Sequence, residues 1–102
     1  MKNIKCKVFI TSPSRHLHQL YTGLLMLNKN GVIDLKIDFS EYPRSQQICR
    51  LDLNGVNLVF DMHDSGRIYP EAVADCDFYF KRSYNQEVAE RSGYKQRILP
   101  YG

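Results

Sequence analysis

Asp61, His63 and Asp64 are the residues of this chain whose types and spacing are best suited to chemistry. A histidine between carboxylates can act as a general base or a metal ligand, because a neighbouring carboxylate orients the ring and raises its basicity. The same stretch also reads as turn chemistry: Asp64-Ser65-Gly66 is ordinary turn sequence, and Asp or Ser after a strand commonly caps the next element. Both readings stand on the residues alone. A second segment, Lys81-Arg82-Ser83-Tyr84, sets two cations and a hydroxyl where an apolar run gives way to a helical pattern. Helix N-termini offer free amides and the positive end of the dipole, so such a junction can seat a phosphate or carboxylate. Cations there oppose the dipole unless an anion is bound, and a solvated Lys-Arg pair is the competing reading. Ser12 and Ser14, in a loop after the first apolar run, complete a substrate-binding set with Lys81, Arg82 and Tyr84.

Other chemistries find little support. The Ser12-Pro13-Ser14 loop stands where a dinucleotide-binding loop would, yet has none of the glycines of G-x-G-x-x-G that let a pyrophosphate approach the backbone. The chain has neither a G-x-x-x-x-G-K-[ST] phosphate loop nor a G-x-S-x-G nucleophile elbow. His16 and His18 are two apart and do not share a helix face, which reads as solvated surface. Cys6, Cys49 and Cys76 are odd in number without a C-x-x-C pair, and read as buried free thiols. No metal or cofactor is expected.

At 102 residues, 43% hydrophobic and 25% charged, the chain has the size and composition of one folded domain. Its longest apolar run, Leu24 to Leu27, is far short of the ~20 residues of a membrane-spanning helix, and the start lacks a signal-peptide pattern. A cytoplasmic location is the expectation. The net charge of +3 is spread along the chain, without the clustered basic face of a nucleic-acid binder.

The elements that must position these residues emerge from periodicity. Lys5 to Thr11 puts Cys6, Val8 and Ile10 on one face and Phe9 on the other, a central buried strand. Ser12-Pro13-Ser14 then caps a helix from about Arg15 to Lys29, with Leu17, Leu20, Tyr21, Leu24 and Leu25 inward and Asn30-Gly31 as its stop. Ile33, Leu35, Ile37 and Phe39 alternate with polar residues, a strand with one wet face that pairs in parallel with the first. Asn54-Gly55 between two alternating runs predicts an antiparallel hairpin over Cys49–Phe60. Next come a short helix from Pro70, a buried strand over Asp77–Lys81 and a helix capped by Ser83 with Gln86. That helix stops at Gly93, and a last strand covers Gln96–Leu99. The expected fold is α/β: a three-layer Rossmann-like open sheet, mainly parallel with one antiparallel hairpin. The chain stops directly after a strand, which reads as one N-terminal domain, residues 1–102, of a longer protein.

Residues 32 to 102 resemble the N-terminal part of bacterial surface-polysaccharide glycosyltransferases of the two-lobed GT-B type. The resemblance rests on Asn54-Gly55, Phe60-Asp61-Met62-His63-Asp64-Ser65, Asp77-Phe78-Tyr79-Phe80-Lys81-Arg82-Ser83-Tyr84 and Leu99-Pro100-Tyr101-Gly102. It implies an acceptor-binding lobe, inactive alone, whose nucleotide-sugar donor sits in a C-terminal lobe this chain lacks. It also implies that Asp61, His63 or Asp64 supplies the base for an acceptor hydroxyl and that Lys81 and Arg82 stabilise anionic groups across the cleft. On that reading Asp64 and Lys81 face one crevice, and the longer protein associates peripherally with a membrane. A non-catalytic α/β interaction module is the alternative, and sheet edges left open by truncation allow a dimer.

Overall fold

The computed structural model describes residues 4–9, 17–38 and 48–101. The Ser12-Pro13-Ser14 cap, Ser12 and Ser14 as binding residues, His16 and Phe39 lie outside them. Among the described residues there are six strands, β1 (Ile4–Phe9), β2 (Ile33–Asp38), β3 (Ile48–Leu53), β4 (Val56–Asp61), β5 (Phe78–Lys81) and β6 (Ile98–Pro100). Three helices join them, α1 (His18–Lys29), α2 (Pro70–Asp75) and α3 (Gln86–Ser92). The strands form one mixed sheet in the order β2-β1-β3-β4-β5-β6. The pairs β1–β2, β4–β5 and β5–β6 are parallel, and β3 alone runs against both its neighbours. No helix among the described residues is long and apolar enough to cross a membrane.

The hairpin forms where Asn54-Gly55 puts it, in the register Cys49 opposite Phe60. Both turn residues take positive φ, 51° and 89°, as a tight two-residue hairpin loop requires. The turn is tied further by Asp52 Oδ1, which accepts from the Gly55 N–H at 2.8 Å, and by Asn54 Oδ1, which accepts from the Lys5 N–H at 2.8 Å. Helix α1 ends in a Schellman arrangement: Val32 N–H donates to the Leu27 carbonyl, Gly31 N–H donates to that of Asn28, and Gly31 holds φ 77°.

Strand alternation and register divide the side chains between two faces. On one, Cys6, Val8, Cys49 and Leu51 pack with Leu17, at the N-cap of α1, and with Leu24 of that helix, and Leu20 and Tyr21 lie partly buried against them. On the other, Val59, Tyr79 and Ile98 pack with Val73 of α2 and Ala89 of α3. The chain's crossovers account for this split. β1-α1-β2 steps across the sheet in one direction, while β4-α2-β5 and β5-α3-β6 step in the other, so crossovers of one hand leave their helices on opposite faces.

Three local expectations are corrected. Leu25 is 52% exposed, because the helix stripe that meets the sheet centres on Leu17 and Leu24 and leaves Leu25 on the flank. Phe78 is 42% exposed, because β5 is covered by helices only on the Tyr79 side. The cap of α3 is Asn85, whose Oδ1 accepts from the Val88 N–H at 3.1 Å, rather than Ser83. Strand pairing continues past Lys81, with Arg82 N–H donating to the Asp61 carbonyl at 2.9 Å, so the helix begins later than the Ser83-x-x-Gln86 pattern predicts.

Candidate functional site

The parallel pairing of β4 and β5 sets Asp61 directly beside Lys81, at the carboxyl ends of both strands. Ligands of open α/β sheets bind beyond that edge. The candidate residues of the two segments therefore come together, although about twenty residues of chain separate them.

They divide into a buried and an exposed group. Asp61 is fully buried and Lys81 is 1% exposed, an unusual depth for a charged pair. The Lys81 ammonium stands 3.6 Å from Asp61 Oδ1 and donates to the His63 carbonyl at 2.8 Å. Asp61 Oδ1 also accepts from the His63 N–H at 2.9 Å, and Asp61 Oδ2 accepts a short bond from the Tyr79 hydroxyl. The Tyr79 oxygen in turn accepts from the Tyr69 N–H at 3.2 Å. The carboxylate is thus met by an ammonium, a hydroxyl and an amide, the condition under which a buried charge is tolerated. The same bonds fix the chain at both His63 and Tyr69, the two ends of the loop after β4. Burial, together with the adjoining Asp61 carboxylate, pushes the Tyr79 hydroxyl far above its ordinary pKa, so it acts as a fixed donor.

Outside this platform lie the accessible groups. His63 is half-buried, with its ring edge-on to Tyr69 at 6.5 Å between centroids. The Asp64 carboxylate is exposed and pairs with the Arg82 guanidinium at 3.2 Å, and the same guanidinium reaches the Met62 carbonyl at 3.4 Å. The loop between them sits close to the start of α3: a Cβ at Gly66 would stand 3.1 Å from Asn85 Cβ. Tyr84 is half-buried against the core that α2 and α3 share. Asp64 and Lys81 lie at one edge of the sheet, Asp64 facing solvent and Lys81 turned inward.

Sequence reasoning missed two residues that hold this site, Tyr79 and Tyr69. A signal for Tyr79 existed: in a strand, Tyr79 and Lys81 share a face, and β4–β5 pairing sets Val59 and Asp61 against them. The amide that Tyr69 contributes belongs to the backbone and leaves no trace in residue type.

At this edge the arrangement can do two things. An imidazole at the loop can accept a proton, and a partly exposed guanidinium shortly before α3 can hold an anion. Among the described residues no group of three or more His, Cys, Asp or Glu is placed to hold a metal ion. No protein-family model, no curated protein and no solved structure matches this chain.

Proposed function

We propose that this chain is the acceptor-side lobe of a two-lobed glycosyltransferase of bacterial surface-polysaccharide synthesis, a Rossmann-like unit that is inactive without a donor lobe. The observation that supports this reading is the Asp64–Arg82 ion pair at the carboxyl ends of β4 and β5, with His63 in the same loop. In the proposed reaction the acceptor hydroxyl gives its proton to the His63 imidazole as its oxygen attacks the anomeric carbon of the donor sugar. The bond from that carbon to the nucleoside diphosphate breaks, and the leaving group stays with the donor lobe. Asp64 and Arg82 orient the acceptor or its anionic groups, while Asp61, Lys81 and Tyr79 hold the loop that carries His63. Saturation-transfer NMR with acceptor saccharides and nucleotide-sugars tests this: the chain should bind saccharides and not the donors. Binding of neither, or of the donor alone, would count against it.

A second reading, a non-catalytic interaction module, is favoured by one observation. Asp61 and Lys81 already satisfy each other inside the fold, which is the behaviour of a structural pair. The His63→Ala variant separates the two readings, since saccharide binding should weaken under the first and no saccharide should bind at all under the second.

A further inference from the structure

His63 and Tyr69 stand at the two ends of the loop after β4, and each has both of its main-chain polar groups bonded. The His63 N–H donates to Asp61 Oδ1 at 2.9 Å, and the His63 carbonyl accepts from the Lys81 ammonium at 2.8 Å. The Tyr69 N–H donates to the Tyr79 hydroxyl oxygen at 3.2 Å, and the Tyr69 carbonyl accepts from the Val73 N–H at 3.0 Å. Pro70 adds a restraint, because the residue before a proline is kept extended, and Tyr69 holds φ −100° and ψ 102°. Asp61, Tyr79 and Lys81 are all buried, so neither backbone can shift without stranding a buried polar group.

With its backbone fixed, His63 keeps only the rotation of its ring. A functional imidazole is commonly oriented by a carboxylate on one ring nitrogen, and Asp61 and Asp64 flank His63 in sequence. Both carboxylates are engaged elsewhere. Asp61 holds the His63 main chain, Tyr79 and Lys81, and Asp64 pairs with Arg82. Among the described residues no group bonds either ring nitrogen of His63. The ring's contact is with Tyr69, at 6.5 Å between centroids and 74° between planes, the edge-on geometry that aromatic pairs favour within ~4.5–7 Å. Tyr69 is itself half-buried against the core that α2 and α3 share, which gives its ring a fixed seat.

We infer that Tyr69 is the positioning residue of His63: an aromatic ring, and not a carboxylate, holds the imidazole in one rotamer. Neither ring nitrogen is then tied to a neighbouring side chain. A neutral imidazole has one donor and one acceptor, so both can serve a hydroxyl-bearing ligand. The inference rests on the reading of His63 as the group that takes the acceptor's proton, and it names the residue that aligns that group.

The test is NMR on the intact chain, with three-bond couplings to the His63 Cγ reporting its χ1 rotamer and acceptor saccharides titrated in afterwards. The wild type should show one rotamer, and Tyr69→Phe, which keeps the ring, should show the same one. Tyr69→Leu keeps the amide and an apolar side chain but removes the ring. It should average the couplings over rotamers while the His63 amide stays protected from hydrogen exchange. Asp64→Asn should leave the couplings as in the wild type. Averaged couplings in the wild type, unchanged couplings in Tyr69→Leu, or averaging produced by Asp64→Asn overturns the inference. Tyr69→Leu should also weaken saccharide binding by about two- to tenfold, with Tyr69→Phe close to wild type, and equal affinity in Tyr69→Leu and the wild type would overturn it as well. A wild type that binds no saccharide removes the proposed function, and the couplings still decide whether Tyr69 orients the ring.

Discussion

Two carboxylate–cation pairs sit within one loop of each other and use the same chemistry to different ends. Asp61 and Lys81 are buried, and the His63 amide and carbonyl of the adjoining loop are both bonded to them. Asp64 and Arg82, one strand end further out, are 78% and 42% exposed in their side chains. In the buried pair, neither charge can be removed without stranding the other in a medium that solvates it poorly. In the exposed pair, water replaces a lost partner at little cost. The first is therefore a device for holding shape, and the second is an ion pair that water reaches from outside.

Removing one buried charge should have the largest effect. Lys81→Met should destabilise the fold by about 3–5 kcal/mol in urea denaturation, and adding Asp61→Leu should recover much of that loss. If the double variant is as unstable as the two single losses summed, the pair is not coupled as described.

A buried thiol shows what the same burial does without a counter-charge. Burial lifts Cys49 from 9.0 to about 12, against a partial lowering from its contact with the Tyr21 hydroxyl. Because the folded pKa is raised, the neutral thiol's contribution is complete below pH 9.0 and is lost as the pH rises toward about 12. Stability should thus fall on the alkaline side by up to ~1.4 kcal/mol per pH unit, a slope that Cys49→Ala reduces.

Within the platform itself, Tyr79→Phe isolates the hydroxyl's share. It leaves the ring but takes one donor from Asp61 and one acceptor from the Tyr69 amide, and should cost about 1–3 kcal/mol. Asn85→Ala removes the side-chain cap of α3 and should cost about 1 kcal/mol. At the small end, Asp64→Asn should change stability by less than ~0.5 kcal/mol while weakening saccharide binding. A large stability loss there would erase the distinction between the two pairs.

Much of the fold was legible because its signals are local. Asn54-Gly55 demands positive φ at two successive residues and so predicts the hairpin and its register. Gly31 and Gly93, at φ 77° and 83°, stop their helices for the same reason. The alternation of Ile33, Leu35 and Ile37 with Asp34, Lys36 and Asp38 marked a strand; Ile33 is buried and Asp34 and Lys36 are exposed, but Ile37, expected on the dry face, is 41% exposed. What was illegible depends on neighbours distant in the chain. Phe78 reads as core by type, but its exposure reflects which face the crossovers leave bare. Lys81 reads as a surface cation, and only its pairing with Asp61 across the β4–β5 register takes it inside. The cap of α3 moved from Ser83 to Asn85 because tertiary strand pairing outlasted the local capping pattern.

A nitrogen-15 amide-shift titration of the wild-type chain with acceptor saccharides probes the proposed division between platform and ligand edge. Shifts should concentrate at His63, Asp64 and Arg82, with the Tyr79 and Tyr69 amides steady because the platform does not move. Shifts scattered over the sheet, or none at any saccharide concentration, would contradict it.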